Sequence, residues 1–220
     1  MIKQFDKFLT DAQLQEMNSL LEKAAFTDGA LTAGVAARRV KNNLQAKRTQ
    51  PVIDQAREIF AKAVMQNTEF RDFALPLQVL PPLFSRYETG MCYGEHTDNA
   101  MMGGTRTDLA MTLFLSAPDS YDGGELVINT DHEPRCIKLA AGSAIVYSAS
   151  SIHRVETVTR GRRQVAVSWI QSMVRDAGQR EIIIDLTQLI NAMRAKQPDA
   201  QEALLLSKTR ANLLRMWADT

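Results

Sequence analysis

The chain of 220 residues is long enough for one medium-sized domain, or for one domain with a small helical appendage. Its apolar fraction of 45% argues against a disordered chain. The net charge is +1, with acids and bases interspersed, so no basic stripe is present that would attract nucleic acid. These properties disfavour the disordered and nucleic-acid-binding classes and favour a folded globular protein.

The N-terminus and the cysteines indicate the cellular compartment. The first seven residues are charged and lack the apolar segment of a secretory signal, and no apolar run is long enough to span a membrane. Cys92 and Cys136 are too few for a disulfide framework and lack metal-type spacing, so reduced thiols are expected, with a single bridge left open. We therefore expect a cytoplasmic protein without a membrane partner.

Two helices are predicted in the N-terminal third. Apolar residues recur at helical spacing within residues 10–25, behind Thr10 or Asp11 as the cap, and again from Pro51 to Gln66. Residues 28–50 are polar and basic and predict a loop, either solvated or, along Arg38 to Arg48, lining a substrate entrance. We assign residues 1–76 to an N-terminal helical region that packs on the core.

From about residue 77 the apolar period changes to two. Short β-rich runs are separated by turn signals at Gly123-Gly124 and Ala141-Gly142, which is typical of an all-β sandwich or barrel. The predicted strands are 83–88, 109–115, 125–129, 135–139, 143–148, 153–158 and 162–170. Residues 77–174 therefore form the expected core of a mainly β protein with flanking helices.

Residues 175–220 return to helical spacing. Leu186, Leu189, Ile190 and Met193 precede a break at Pro198, and a second apolar pattern runs through Trp217. Such a pair is typical of a packing or dimerisation element, because exposed apolar faces seek partners. A homodimer through this C-terminal helical extension is one expectation.

Two of the three histidines belong to one pattern. His96-Thr97-Asp98 with the more distant His153 supplies two imidazoles and one carboxylate, the ligand set of the facial triad that holds non-haem Fe(II). In an extended segment, His96 and Asp98 project to the same face. The tripeptide alone is a weak motif, since a surface turn capped by Asp98 has the same letters. His132 lies in a polar turn and is expected to face solvent.

The sequence after His153 predicts a hairpin. Thr159-Arg160-Gly161 would form a three-residue loop with Gly161 in the left-handed region, which puts His153 opposite Val167 and both His153 and Arg163 on the buried face. A buried arginine requires an anionic partner. That partner is either a protein carboxylate or the carboxylate of a ligand held by the guanidinium fork.

These residues resemble the iron- and 2-oxoglutarate-dependent dioxygenases, and most closely their prolyl 4-hydroxylase-like branch. The segment from Tyr87 to Asp98 resembles that branch's Y-x-x-G-x-x-Y-x-x-H-x-D, and 122–126 (DGGEL) resembles its G-G-E-L segment. The order His153, Arg163, Trp169 also follows the family, over roughly residues 80–172. With its helical ends, the whole chain resembles the bacterial PKHD-type hydroxylases, often associated with iron metabolism.

The resemblance implies a double-stranded β-helix (jelly roll) core. His96, Asp98 and His153 would ligate Fe(II), and Arg163 would bind the distal carboxylate of 2-oxoglutarate. Tyr87 would lie near this co-substrate, or serve as a core aromatic. The implied reaction uses O2 and couples decarboxylation of 2-oxoglutarate to succinate with hydroxylation of a substrate, with L-ascorbate as the supporting reductant.

The sequence leaves the substrate and one functional alternative open. Prolyl or lysyl residues of a peptide, a free amino acid and an iron-chelating small molecule are all compatible with the motifs. A non-catalytic Fe(II)/2-oxoglutarate-responsive sensor or binding protein would use the same residues, whereas Arg163 disfavours a jelly-roll metalloenzyme without 2-oxoglutarate. Residues 99–107, with a glycine pair and adaptable methionines, predict a mobile lid or a plain surface loop.

Overall fold

The computed structural model describes residues 1–32, 38–130 and 133–219, and within these ranges the chain forms sixteen strands and five α-helices. In chain order the strands are β1 (Ile2–Phe5), β2 (Phe26–Asp28), β3 (Lys41–Asn42), β4 (Leu44–Ala46), β5 (Pro76–Val79), β6 (Leu83–Glu88), β7 (Cys92–His96), β8 (Met101–Met102), β9 (Thr105–Arg106), β10 (Leu109–Phe114), β11 (Tyr121–Gly123), β12 (Leu126–Ile128), β13 (Arg135–Ile137), β14 (Ala144–Ser148), β15 (His153–Val155) and β16 (Val158–Ser172). The helices are α1 (Asp11–Glu22), α2 (Pro51–Gln66), α3 (Thr68–Ala74), α4 (Ala177–Lys196) and α5 (Gln201–Trp217).

The strands form two large antiparallel sheets. The main sheet has the order β1-β14-β10-β16-β6-β4-β2, with β5 and β11 also paired to β16, and the second sheet has the order β13-β12-β15-β7-β3. Strands β8 and β9 form a separate hairpin. Consecutive residues of a strand point to opposite faces of its sheet. The main sheet therefore contributes apolar side chains to two clusters, one on each of its faces.

The outer face of the main sheet is covered by the N-terminal helices. Alternate residues such as Met111, Val146 and Ala166 pack against Met17 of α1 and Ile53 of α2 in one apolar cluster. The inner face packs on the second sheet, and its cluster joins Ile145 and Val165 of the main sheet to Leu126, Ile128 and Val155 of the second. The two facing sheets form the predicted jelly-roll core, with flanking helices.

The predicted helices are confirmed. Thr10 caps α1 through a capping box with Gln13, and α2 spans the predicted residues 51–66 with proline in its first turn. Both C-terminal helices are present, and α5 packs on α4 and, through Leu213, Leu214 and Trp217, on a small cluster around Val174. In the described chain, no helix is both long and apolar enough to cross a membrane.

The prediction of a loop over residues 28–50 is wrong for much of its described part. Residues 41–42 form β3 on the edge of the second sheet, and 44–46 form β4 in the main sheet. These strands are only two and three residues long, too short for a recognisable apolar alternation, and backbone pairing defines them. Residues 33–37 of this segment, and His132, lie outside the described residues. Residues 1–76 thus contribute strands to both sheets as well as helices.

The predicted hairpin at residues 159–161 is also wrong. Strand β16 runs without a turn from Val158 to Ser172, while β15 pairs with β12 and β7 in the other sheet. Gly161 has the expected positive φ of 74°, but its role is different. A Cβ atom at this position would overlap the carbonyl oxygen of Ser120, so glycine allows β11 to approach β16.

Candidate active site

A cavity of about 1000 Å³ opens between the two sheets. Its lining includes all five residues singled out in the sequence: Tyr87, His96, Asp98, His153 and Arg163. His153 and Arg163 reach it from different sheets, since β15 and β16 face each other across the interior. The prediction that His153 and Arg163 both point inward is therefore correct, although the hairpin from which it was derived does not form.

The two histidines meet because β7 and β15 are neighbours. His153 lies opposite His96 in the antiparallel register, and their ring centroids are 4.2 Å apart. Asp98 follows β7 by two residues and turns toward the same point. The candidate ligand atoms of His96, Asp98 and His153 all lie within 4.8 Å of one another, so one cation placed between them would contact all three.

Backbone carbonyl groups orient both imidazoles. His96 donates from Nδ1 to the Gly94 oxygen at 2.8 Å, and His153 donates from Nδ1 to the Ser151 oxygen at 3.0 Å. Since a carbonyl oxygen only accepts, these contacts place a proton on Nδ1 of each ring and leave Nε2 as the nitrogen that a metal ion would bind. Burial, aided by the charge of His153, lowers the pKa of His96 to about 4. His96 is therefore neutral at neutral pH, as a metal ligand must be.

The third member of the cluster is a buried carboxyl group. Burial raises the pKa of Asp98, and His153, Trp169 and Lys41 oppose this shift. The indole N–H of Trp169 lies close enough to influence Asp98, but Oδ2 of Asp98 has no partner with hydrogen-bonding geometry among the described residues. A buried carboxylate oxygen without a partner is costly, and a bound cation would remove that cost.

Arg163 lies on the neighbouring inner face of β16 with only 1% of its surface exposed. Its guanidinium carbon is 5.1 Å from the ring centroid of Tyr87 and 5.5 Å from that of Phe114. Within the part of the chain that the structure describes, Nε and Nη1 of Arg163 have no hydrogen-bond partner. Aromatic rings offset only part of the desolvation of a buried cation, so this position suits the binding of an anion.

Two neighbours shape the position of this arginine. Tyr87 lies directly opposite Arg163 in the β6–β16 register, and burial raises the pKa of its hydroxyl group, which is therefore protonated and can donate. Gly124, with a φ of 67°, leaves room for the arginine stem, because a Cβ there would lie 3.0 Å from Arg163 Cδ and 2.9 Å from Val158 Cγ2. Glycine is thus required by both the backbone and the close approach.

Several residues of the site were not identified from the sequence. Tyr93 stacks on His96 with ring centroids 3.6 Å apart, and Tyr147 meets His153 edge-on at 5.2 Å. Asn43 is 2% exposed at the cavity and lies close enough to the Tyr87 hydroxyl group to influence its pKa, but neither polar atom of its side chain has a partner with hydrogen-bonding geometry among the described residues. The period-two pattern could have found Tyr147. Asn43 lies between the short strands β3 and β4 and carried no signal.

Comparison with known proteins gives the class first. A family model described as the 2OG-Fe(II) oxygenase superfamily matches residues 82–171, the part that contains the cluster and Arg163. A Pseudomonas putida prolyl-4-hydroxylase has a similar fold, with a TM-score of 0.56 and 17% identity over 78% of this chain and 92% of that chain. HygX from Streptomyces hygroscopicus, solved with nickel and 2-oxoglutarate bound, has a TM-score of 0.54 and 12% identity over 76% of this chain and 81% of that chain.

The C-terminal helices and the full-length relatives identify a subgroup of this superfamily. A family model described as the PKHD-type hydroxylase C-terminal domain matches residues 177–219, which contain α4 and α5. A PKHD-type hydroxylase of Acaryochloris marina is 46% identical over 219 residues, which cover 100% of both chains. The chain belongs to the PKHD-type hydroxylases of the 2OG-Fe(II) oxygenase superfamily. It is an enzyme of a family that uses Fe(II), 2-oxoglutarate and O2.

Proposed function

We propose that the chain hydroxylates a substrate in the cavity between its sheets, with Fe(II) held by His96, Asp98 and His153. The observation that carries this proposal is the convergence of three ligand atoms within 4.8 Å, two of them from imidazoles whose Nδ1 donates to a backbone carbonyl group and whose Nε2 is left available. Two nitrogens and one carboxylate oxygen suit non-haem Fe(II) and leave coordination positions open. The buried Oδ2 of Asp98, which has no hydrogen-bond partner among the described residues, supports the fit.

Arg163 would bind the distal carboxylate of 2-oxoglutarate. Its two unbonded donors face the cavity from a fully buried position, and a guanidinium matches a carboxylate in a bidentate geometry. Tyr87, next to Arg163 on the adjacent strand, would donate its hydroxyl proton to the same carboxylate. The binding of 2-oxoglutarate by HygX, which has the same fold, agrees with this assignment.

Bound Fe(II) and 2-oxoglutarate would supply the oxidising chemistry, with O2 consumed and succinate and CO2 released. The chain contributes position and a dry environment. The carbonyl groups of Gly94 and Ser151 hold the imidazoles in one orientation, and the rings of Tyr93 and Tyr147 pack on them. Rigid, preoriented ligands and exclusion of water are what such a reaction needs from its protein.

The remaining functional assignments belong to the same proposal. The substrate is a prolyl or lysyl residue of a peptide, or a small molecule of iron metabolism, and L-ascorbate serves as the reductant that keeps the iron reduced. Family membership favours catalysis over the sensor alternative. We further propose a cytoplasmic enzyme whose core, residues 77–174, is completed by strands of the N-terminal region 1–76 and flanked by the helices of regions 1–76 and 175–220. Its C-terminal helices would form the contact of a homodimer.

Anaerobic spectroscopy tests the metal and co-substrate assignments. Fe(II) and 2-oxoglutarate together should give the wild-type protein a weak visible charge-transfer band, which His153→Ala should lack. His132→Ala is the matched control, because it removes the one histidine outside the cluster. On admission of O2, the wild-type protein should release succinate. A band that survives in His153→Ala, or the absence of succinate from the loaded wild-type protein, would contradict the proposal.

A further inference from the structure

Asn43 is a buried polar residue in the cavity wall to which the proposed reaction assigns no role. Its side chain is 2% exposed and lines the cavity, and neither Nδ2 nor Oδ1 has a partner with hydrogen-bonding geometry in the part of the chain that the structure describes. A buried amide group without hydrogen bonds is costly, and each such group in a protein calls for an explanation. A residue that takes part in ligand binding provides one.

The position of Asn43 follows from the strands on either side of it. Strand β3 belongs to the second sheet and β4 to the main sheet, and Asn43 is the single residue between them. In the pairing of β4 with β6, Leu44 lies opposite Arg86. The same antiparallel register, extended by one residue, puts Asn43 opposite Tyr87. Asn43 therefore lies beside Tyr87, where the chain crosses from one sheet to the other.

Asn43, Tyr87 and Arg163 form a row across the main sheet. Tyr87 lies opposite Arg163 in the pairing of β6 with β16, and the guanidinium carbon is 5.1 Å from the centroid of the tyrosine ring. Neighbouring strands lie about 4.8 Å apart, so Cα atoms two strands apart are separated by roughly 10 Å. The short side chain of Asn43 is therefore placed to interact with Tyr87 rather than with Arg163.

The polarity of the amide group suits this neighbour. Burial raises the pKa of Tyr87, and Arg163 and the side chain of Asn43 both oppose this rise, as a positive charge or an N–H group near the phenol oxygen should. On its other side, Asn43 packs on Gly29, where a Cβ atom would overlap Asn43 Oδ1. The backbone N–H of Gly29 also donates to the backbone oxygen of Asn43 at 2.8 Å. With Oδ1 against Gly29, Nδ2 is the atom available to the phenol oxygen.

We infer that Asn43 is a positioning residue of the 2-oxoglutarate site, whose Nδ2 group donates to the Tyr87 hydroxyl oxygen so that Tyr87 donates its own proton to the distal carboxylate beside Arg163. The inference rests on the proposed function, because the carboxylate is that of the bound co-substrate. A phenol group has one proton and can accept at the same oxygen. A neighbour that only donates therefore directs this proton toward the ligand, and hydrogen bonds in such a chain strengthen one another.

A double-mutant cycle separates this role from simple packing. The wild-type protein, Asn43→Ala, Tyr87→Phe and the double variant are loaded with Mn(II), so that binding is measured without turnover. The Kd of each is determined for 2-oxoglutarate and for 2-oxopentanoate, which lacks the distal carboxylate. Asn42→Ala is the matched control, because it removes the amide group of the adjacent residue, which is exposed and does not line the cavity.

Asn43→Ala should weaken the binding of 2-oxoglutarate by roughly three- to tenfold, the size expected for one hydrogen bond, and change that of 2-oxopentanoate by less than about twofold. In the Tyr87→Phe background, Asn43→Ala should weaken 2-oxoglutarate no further, because the hydroxyl group through which it acts is absent. Asn42→Ala should bind both 2-oxo acids like the wild type.

Asn43→Asp is a second variant that keeps the shape of the side chain, so it tests the inference even if Asn43→Ala fails to fold. Its carboxylate can only accept, and would draw the Tyr87 proton away from the ligand. It should therefore weaken 2-oxoglutarate binding at least as much as Asn43→Ala. A residue needed only for its shape would tolerate this change.

Three results would overturn the inference. They are equal losses for the two 2-oxo acids in Asn43→Ala, the same loss of 2-oxoglutarate affinity with and without the Tyr87 hydroxyl group, and wild-type affinity in Asn43→Asp. Succinate release by the wild-type protein, reloaded with Fe(II) and exposed to O2, keeps this failure separate from that of the proposed function. If succinate forms but the cycle shows no coupling, only the role of Asn43 fails.

Discussion

Replacing Arg163 with methionine should show whether this residue binds 2-oxoglutarate or only supports the structure of the site. The side chain is 1% exposed, and two of its donors have no partner among the described residues. Methionine keeps much of the apolar stem but removes the charge. Loss of one member of a buried charge pair costs about 3 kcal/mol, which corresponds to roughly a 150-fold weaker Kd for 2-oxoglutarate.

The measurement is a titration of the Mn(II)-loaded protein with 2-oxoglutarate and with 2-oxopentanoate, in which a methyl group replaces the distal carboxylate. If Arg163 binds that carboxylate, the variant should lose affinity for 2-oxoglutarate and bind 2-oxopentanoate within about threefold of the wild type. The variant without ligand should be no less stable than the wild type, because it no longer buries an unpaired charge. Arg162→Met, at the adjacent and more exposed position, is the control.

Two outcomes would refute this reasoning. Equal losses for both 2-oxo acids would show that Arg163 supports the site without contacting the distal carboxylate. A marked fall in the unfolding free energy of the ligand-free variant would show that the guanidinium is satisfied within the protein.

Three further substitutions test the site and its supports. Gly124→Ala should lower the free energy of unfolding by roughly 1–3 kcal/mol and weaken 2-oxoglutarate binding, because the added Cβ would lie 3.0 Å from Cδ of Arg163. Gly90→Ala is the control: it has similar backbone strain but no atom within 4 Å of the added Cβ, so it should lower the stability of the fold without affecting 2-oxoglutarate binding. Asp98→Ala should abolish Mn(II) binding measured by electron paramagnetic resonance without unfolding the protein, because burial already disfavours this carboxylate in the absence of a cation. Arg106→Met should lower stability in urea by roughly 2–3 kcal/mol, since its guanidinium contacts Asp108 at 2.8 Å and Asp219 at 2.9 Å.

Each of these expectations has a result that contradicts it. Equal losses of 2-oxoglutarate affinity in Gly124→Ala and Gly90→Ala would show that the close approach of Gly124 to Arg163 does not support 2-oxoglutarate binding. Retained Mn(II) binding in Asp98→Ala would exclude this carboxylate as a ligand. Arg160→Met removes an exposed ion pair with Asp122 and should cost at most about 1 kcal/mol. If Arg106→Met costs no more, the contacts of its guanidinium group with Asp108 and Asp219 do not stabilise the fold.

The helices were predictable because their signals are local. The capping residue at Thr10, the proline at position 51 and the apolar spacing all act within one element, so a window of sequence contains them. Strands β6, β10, β12, β13 and β14 were found for the same reason. Strand β3 was missed because its stability comes from backbone pairing with β7, a segment remote in the sequence.

The sequence by itself determined which residue types are available: two histidines, one carboxylate and a downstream arginine on the inward-facing positions of a β-rich segment. The tertiary structure decided how they meet. His153 pairs with β7 and Arg163 with β6, in different sheets, because strand pairing depends on the whole sheet order and not on the residues between the two strands. Only that order brings Lys41 to the cavity, since its pairing partner Tyr93 lies far along the chain.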